Sequence, residues 1–376
     1  MADSGISGKT DGHQSGDGCR ANHRRARPDT RRGFAKATGC ALVIGALLGC
    51  AGLGYAYLSL NNNIRGVDVD TALAKDPRPE SAPDHSMNIL VLGSDSREGQ
   101  NDEYGKNEGG ARSDTAMIVH VAADRQHASV VSVPRDTLVT RPNCTAENGS
   151  PVPGGPRKMF NTAFEVGGPA CAVKTVESMS GLRMDHFIEV DFTGFKQLVD
   201  ALGGVSITTS EAIHDPDSHL DLPVGKHTLD GEQALGLVRT RHQAPGGNGG
   251  DLARIQLQQI FLKALMKKTK NIGILSEPLL LYRVADTATK AIRTDSDLNS
   301  VDKLLGLTKT LGGVDPTGMQ MITLPVQVDQ IDKNRLVPQL QQDQEVWDAL
   351  RNDLPVPPSA TKDSAGDKAT TGKYVQ

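Results

Sequence analysis

Residues 37–64 carry no charged side chain, whereas six bases (Arg24, Arg25, Arg27, Arg31, Arg32 and Lys36) crowd the stretch just before them. Crossing the hydrocarbon core of a bilayer takes about 20 apolar residues, and "ATGCALVIGALLGCAGLGYAYLSL" supplies them. A buried core helix is the other reading, and it rarely runs so long without charge. Basic residues stay on the cytoplasmic side, so the pattern predicts a single-pass transmembrane anchor over 37–60. It makes 1–36 a basic, disordered cytoplasmic tail and places everything later outside the cell membrane. "TRRGFAK" resembles a twin-arginine export signal, and "LLGC", ending at Cys50, resembles a lipoprotein cleavage box. The apolar run continues past Cys50 to Leu60, which a cleaved lipoprotein would not need, so an uncleaved anchor is expected.

That division fixes the redox setting of the five cysteines. Cys19 falls in the cytoplasmic tail, and Cys40 and Cys50 fall in the span. Only Cys144 and Cys171 face the oxidising side, where a disulfide between them can persist. Two unrelated buried thiols are the alternative. Zinc is disfavoured, because nothing nearby has ligand spacing.

The exported part begins with a polar, Pro-bearing stretch, 61–86, expected to act as a stem. A globular region follows over 87–328, and 329–376 is expected to be an extension that ends in a disordered tail from Pro355. The whole chain's formal charge of −4 gives no basic footprint for nucleic acid. Within the globular region "NILVL" is a short apolar run suited to a buried strand. Thr115–Ala123 and Ala128–Pro134, joined by "DRQH", predict a hairpin. "HFIEVDF" and "VSITT" read as further strands. "GPACAVKTVESMSGL", "TGFKQLVDAL", the first half of "DGEQALGLVRTR" and Asp251–Lys270 read as helices. Strands interleaved with helices predict an α/β/α sandwich around a mixed central sheet.

The hairpin has a chemical consequence. With its turn near Arg125, Asp114 should lie across from about Asp136, with Arg112 and Arg135 beside them. If "NILVL" runs parallel to Ala128–Pro134, its carboxyl end brings Asp95 and Arg97 to the same edge. Open α/β sheets bind ligands at that edge. Taken singly, such turns are ordinary surface salt bridges. Together they suit a phosphate-rich substrate and a divalent metal, because guanidinium forks grip phosphate and carboxylates hold Mg²⁺. A fourth cluster, "LVRTRHQAPGGNGGDLARIQLQQ", adds Arg239 and Arg241, then Asp251, Arg254 and Gln258 on one helical face.

The blocks "LVLGSDSR", "RSDTAMIVHV", "VVSVPRDTLV", "FIEVDFTGFKQLVDALGGV" and "LVRTRH…DLARIQLQQ" resemble the LytR–CpsA–Psr family over roughly Met87 to Lys270. The resemblance implies a phosphotransferase that moves a glycopolymer, such as a teichoic acid, from a polyprenyl-pyrophosphate carrier onto peptidoglycan. Carried over by motif, Asp95 and Asp114 would be ligands of Mg²⁺ or Mn²⁺. Arg97, Arg112, Arg135, Arg239, Arg241, Arg254 and Gln258 would contact pyrophosphate. The family pattern R-x-x-R-Q is broken here, since Leu257 stands at the second arginine position.

The expected mechanism is attack of a peptidoglycan hydroxyl on the sugar-proximal phosphorus, with polyprenyl phosphate leaving. Asp251 is the candidate base and Asp136 the fallback; the residues alone do not choose between them. A prenyl-pyrophosphate pyrophosphatase and a non-enzymatic wall-binding or regulatory protein are the rival readings.

Overall fold

A central sheet of seven strands organises the computed structural model, which describes residues 51–82, 85–94, 113–241, 250–273, 277–367 and 373–375. Four strands are labelled β1 (Arg65–Val67), β2 (Met87–Ser94), β3 (Ser113–Val121) and β4 (Ala128–Val133). The sheet order is β1, Ile292–Asp295, His186–Asp191, β2, β3, β4, Gln320–Thr323. β2–β3 and β3–β4 pair antiparallel, so β2 and β4 run the same way on either side of β3. The expected mixed sheet and hairpin are therefore present. The hairpin turns where Asp124 accepts from the amides of Gln126 and His127 and Arg125 adopts a φ of 59°.

Strand alternation sends even and odd residues to opposite faces. Leu90, Leu92 and Ile118 join the main core with the Thr162–Ser180 and Leu340–Arg351 helices. On the other face Ile89 packs against Leu307, and Met117 and Val130 join a cluster bordered by Leu262 and Met266. Helices thus cover both faces. A separate small core lies between Val205–Thr209, Gly225–Leu229 and the Asp251–Ile272 helix.

Two boundaries differ from expectation. The stretch expected as a stem contributes β1 to the sheet edge and buries Val69 and Leu73 in the main core. The stretch expected as an extension is also structural. Val346, Trp347 and Leu350 fill that core, and Val356 and Ala360 follow them in. Asp353 accepts from the Ala123 amide at 3.1 Å and pairs with His120 Nε2 at 2.9 Å, fastening this segment to the hairpin. Buried apolar side chains overrode a polar surrounding sequence in both places.

The expected disulfide is formed between Cys144 and Cys171, in the loop and helix that follow β4. Most of the expected transmembrane span lies outside the described residues; its described end, within residues 51–63, is helical. Among the described residues no helix is long and apolar enough to cross a membrane.

Candidate active site

The β3–β4 ladder ends at Ala116↔Val133, and continuing its register brings Asp114 opposite Arg135, one residue from the expected partner Asp136. Arg135 Nη1 donates to Asp114 Oδ1 at 2.7 Å. Its Nε lies 3.5 Å from Asp136 and 3.4 Å from Asp251. One guanidinium therefore links three carboxylates from two strands' ends and a helix.

Arg239 and Arg241 come from a helix end. Asp230 and Gln233 form a capping box that starts the Gly231–Arg239 helix, and Thr240 leaves it with ψ near 130°. The Thr240 side chain is buried, donating to the Gly236 carbonyl oxygen, so the two flanking arginines both reach the cavity. Asp215 accepts from the Arg241 amide at 3.0 Å, and the Arg241 carbonyl oxygen accepts from Gly250 N at 2.7 Å. Asp251 then opens the long helix, where a carboxylate suits the dipole. Arg254, one turn on and 3% exposed, lies 2.5 Å from Asp251 and donates to the Asp114 carbonyl oxygen at 2.9 Å. Gln258 Nε2 donates to Thr115 Oγ1 and to the Val238 carbonyl oxygen.

A cavity of about 200 Å³ lies here, and its walls include Asp114, Arg239, Arg241, Arg254 and Gln258. Burial pushes the Asp114 carboxyl up, but Arg254, Arg135 and Arg241 outweigh it and hold it below the usual range. Burial, then Arg135, lowers Arg241. Burial brings Arg254 down to about 10, against the pull of Asp251. Cations crowded closely enough to depress one another form a site that is stabilised by an incoming polyanion.

Asp114 Oδ1 accepts from Arg135 and lies 3.9 Å from Arg241. A carboxylate among guanidinium groups at a cavity wall fits Mg²⁺, which usually takes one or two carboxylates plus substrate oxygens. The second expected ligand, Asp95, lies outside the described residues, as do Arg97 and Arg112. Among the described residues no group of three His, Cys, Asp or Glu side chains could hold a metal alone.

Four neighbours were not expected from sequence. Phe192 puts its ring 5.2 Å from the Arg239 guanidinium. Asp215 and Asp217, on the turn that clamps Arg241, also line the cavity. Arg335 comes within 3.7 Å of Asp136. Only Phe192 lay in a quoted block; the others meet the site through tertiary contacts. Leu257, at the departing family position, is fully buried in the small core and points away from the cavity.

The LytR_cpsA_psr family profile matches residues 56–352. A probable cell wall biosynthesis protein, LcpB of Corynebacterium glutamicum, is 36% identical over 218 residues; the match covers 56% of this chain and 49% of LcpB. The chain thus spans about half the length of that relative. TagT of Bacillus subtilis, a polyisoprenyl-teichoic acid–peptidoglycan teichoic acid transferase, is 29% identical over 320 residues, covering 80% of this chain and 88% of TagT. A solved structure described as TagT bound to LIIa-WTA superposes with a TM-score of 0.55 at 26% identity, covering 75% of this chain and 98% of that one. With the profile matching most of the chain, the protein belongs to the LytR–CpsA–Psr (LytR_cpsA_psr) family.

Proposed function

We propose that the chain is a membrane-anchored transferase that moves a glycopolymer from a polyprenyl-pyrophosphate carrier onto peptidoglycan. The observation that carries this reading is the convergence of Arg135, Arg239, Arg241 and Arg254 around Asp114 at the edge of the sheet. The polyisoprenyl–teichoic acid chemistry named for TagT supports it.

Strand parity also sets a strip of partly buried apolar side chains on one face of the sheet. Thr115 lines the cavity, and the same face of β3 continues through Met117 to Val119. Met87, Val91, Val119 and Leu311 are only partly buried, and each borders both apolar clusters on this face. A chain of isoprene units fits there, with its pyrophosphate among the arginines.

The acceptor hydroxyl oxygen attacks the sugar-proximal phosphorus, forming a P–O bond while the bond to the bridging oxygen breaks. Its proton passes to a carboxylate, and polyprenyl phosphate leaves with the bridging oxygen. Asp251 is the candidate for the proton step; it too is ion-paired, 2.5 Å from Arg254 and 3.4 Å from Arg135. Asp136, shared between Arg135 and Arg335, is held in ion pairs. The arginines supply fixed positive charge where the phosphorane oxygens develop negative charge. Mg²⁺ held by Asp114 and Asp95 would neutralise further pyrophosphate charge when bound. Residues 37–60 would anchor the chain, N-terminus inside.

The test is polyprenyl phosphate release by full-length protein from a prenyl-pyrophosphate-linked oligosaccharide, with and without peptidoglycan. Acceptor-dependent release is expected. Arg239→Ala and Arg241→Ala should each slow it by about 10- to 100-fold, the value of one charge-assisted contact, while the surface change Lys303→Ala leaves it unaltered. Equal release without acceptor would replace the transferase with a pyrophosphatase.

A further inference from the structure

The end of the sheet remote from the cavity has the chemistry of a surface made for lipid. The Asp251–Ile272 helix starts at the cavity and extends roughly 33 Å at 1.5 Å per residue. Its last turns carry Lys267, Lys268 and Lys270. Lys270 acts electrostatically on Asp315, whose amide bonds the Gln126 carbonyl oxygen in the hairpin turn, opposite the site edge.

The Pro278–Ala291 helix makes the return journey. Its last residue, Ala291, packs so closely on Gly194 that no Cβ would fit there. Gly194 lies in the first turn of the Phe192–Ala201 helix, and Phe192 lines the cavity. The opposite tip, Pro278 to Arg283, is therefore remote from the cavity. Leu279 is 83% exposed there and Tyr282 39%.

Charge singles out the same place. Residues 263–283 hold five bases (Lys263, Lys267, Lys268, Lys270, Arg283) and one acid, Glu277, in a chain whose net charge is −4. Lys267, Lys268 and Arg283 make no ion pair with any described residue. The helix that continues the uncharged N-terminal run is tied to this one, since Asn63 Nδ2 donates to Asp286 Oδ1 at 3.1 Å and Thr289 Oγ1 at 3.3 Å.

We infer that this tip is a bilayer-docking face. Leu279 and Tyr282 enter the interface, where tyrosine's amphipathic ring is at home. Lys267, Lys268, Lys270 and Arg283 meet anionic phosphates, each contributing a short-range, salt-sensitive attraction. The cavity then stands about one long helix above the membrane, with the apolar strip of the sheet face between them. The proposal rests on the transferase reading only for what lies along that strip.

Full-length protein carrying Tyr282→Trp, placed in phosphatidylglycerol-containing nanodiscs with brominated acyl chains, tests it. Shallow insertion should remove roughly half of the added tryptophan's emission. Ile331→Trp, 80% exposed beside Asp329 at the cavity end, should keep its emission. Trp347 is buried in every variant and serves as the common background. Adding Lys267→Glu and Lys270→Glu should restore the emission of the tryptophan at 282. Equal quenching at both positions, none at 282, or indifference to charge reversal would overturn the docking face. If quenching is absent while polyprenyl phosphate is still released, this inference fails and the transferase stands. Quenching at 282 without acceptor-dependent release has the opposite meaning.

Discussion

Arg254 reaches from the long helix to the end of β3, where its Nη2 donates to the main-chain oxygen of Asp114 at 2.9 Å. The same guanidinium holds Asp251. One buried cation thus joins two elements of the site and neutralises its candidate base. Arg254→Ala would strip the buried Asp251 of its nearest cation and leave only Arg135 at 3.4 Å, and breaking such a buried pair costs about 3–5 kcal/mol. Chemical denaturation should show that loss, with activity falling further than stability. Arg254→Lys should recover part of each, because an ammonium lacks the planar fork. Unchanged stability in the alanine variant would contradict the pairing.

Leu257 gives a prediction against the family pattern. It lies in the small core with Ile207 and Phe261, so an arginine there would be buried among apolar side chains. Leu257→Arg should therefore destabilise by several kcal/mol, on the order of 3 or more, and should not strengthen substrate binding. A stable variant with a lower KM would show that position 257 can turn to the cavity.

Asp343 provides the pH test. Burial raises its carboxyl to about 7, with the Trp347 side chain opposing the shift. The folded state then holds a proton that the unfolded state gives up near 3.9. Stability contributed by this group declines as pH rises from about 4 to 7 and is flat above that range. Asp343→Asn should raise the thermal midpoint little at pH 4.5 and most at pH 7.5. A constant offset across that range would sink the assignment.

The Cys144–Cys171 bond closes a loop with a sequence separation of 27. Loop entropy gives the bond about 3 kcal/mol of stabilisation. The double serine variant should unfold at correspondingly lower denaturant. Its KM should stay unchanged, since neither cysteine lines the cavity. A raised KM with normal stability would instead give the bond a role in substrate binding.

Much of the site edge was legible because a hairpin transmits information. Once its turn is placed near Arg125, the period-2 ladder fixes which residues meet at the other end, here Asp114 with Arg135. The R-x-R and D-x-x-R spacings were equally local. The contact between Arg335 and Asp136 joins residues almost two hundred positions apart, and no local rule encodes it. Trp347 left a weaker trace. Val346, Trp347 and Leu350 have helical spacing, but they stand in a Gln- and Asp-rich stretch that reads as surface. Val69 and Leu73 in the supposed stem were hidden similarly.

The hydrogen bond between Gly250 N and the Arg241 carbonyl oxygen closes the ends of the intervening segment, 242–249, like a clasp. Loop-closure entropy grows only slowly with length, so residues could be added to or removed from that segment without shifting Arg241 or Asp251. The two arginine motifs then behave as fixed hardware on either side of a segment whose length can change. Evolution, or a protein engineer, can vary that length while leaving the charged framework on both sides untouched.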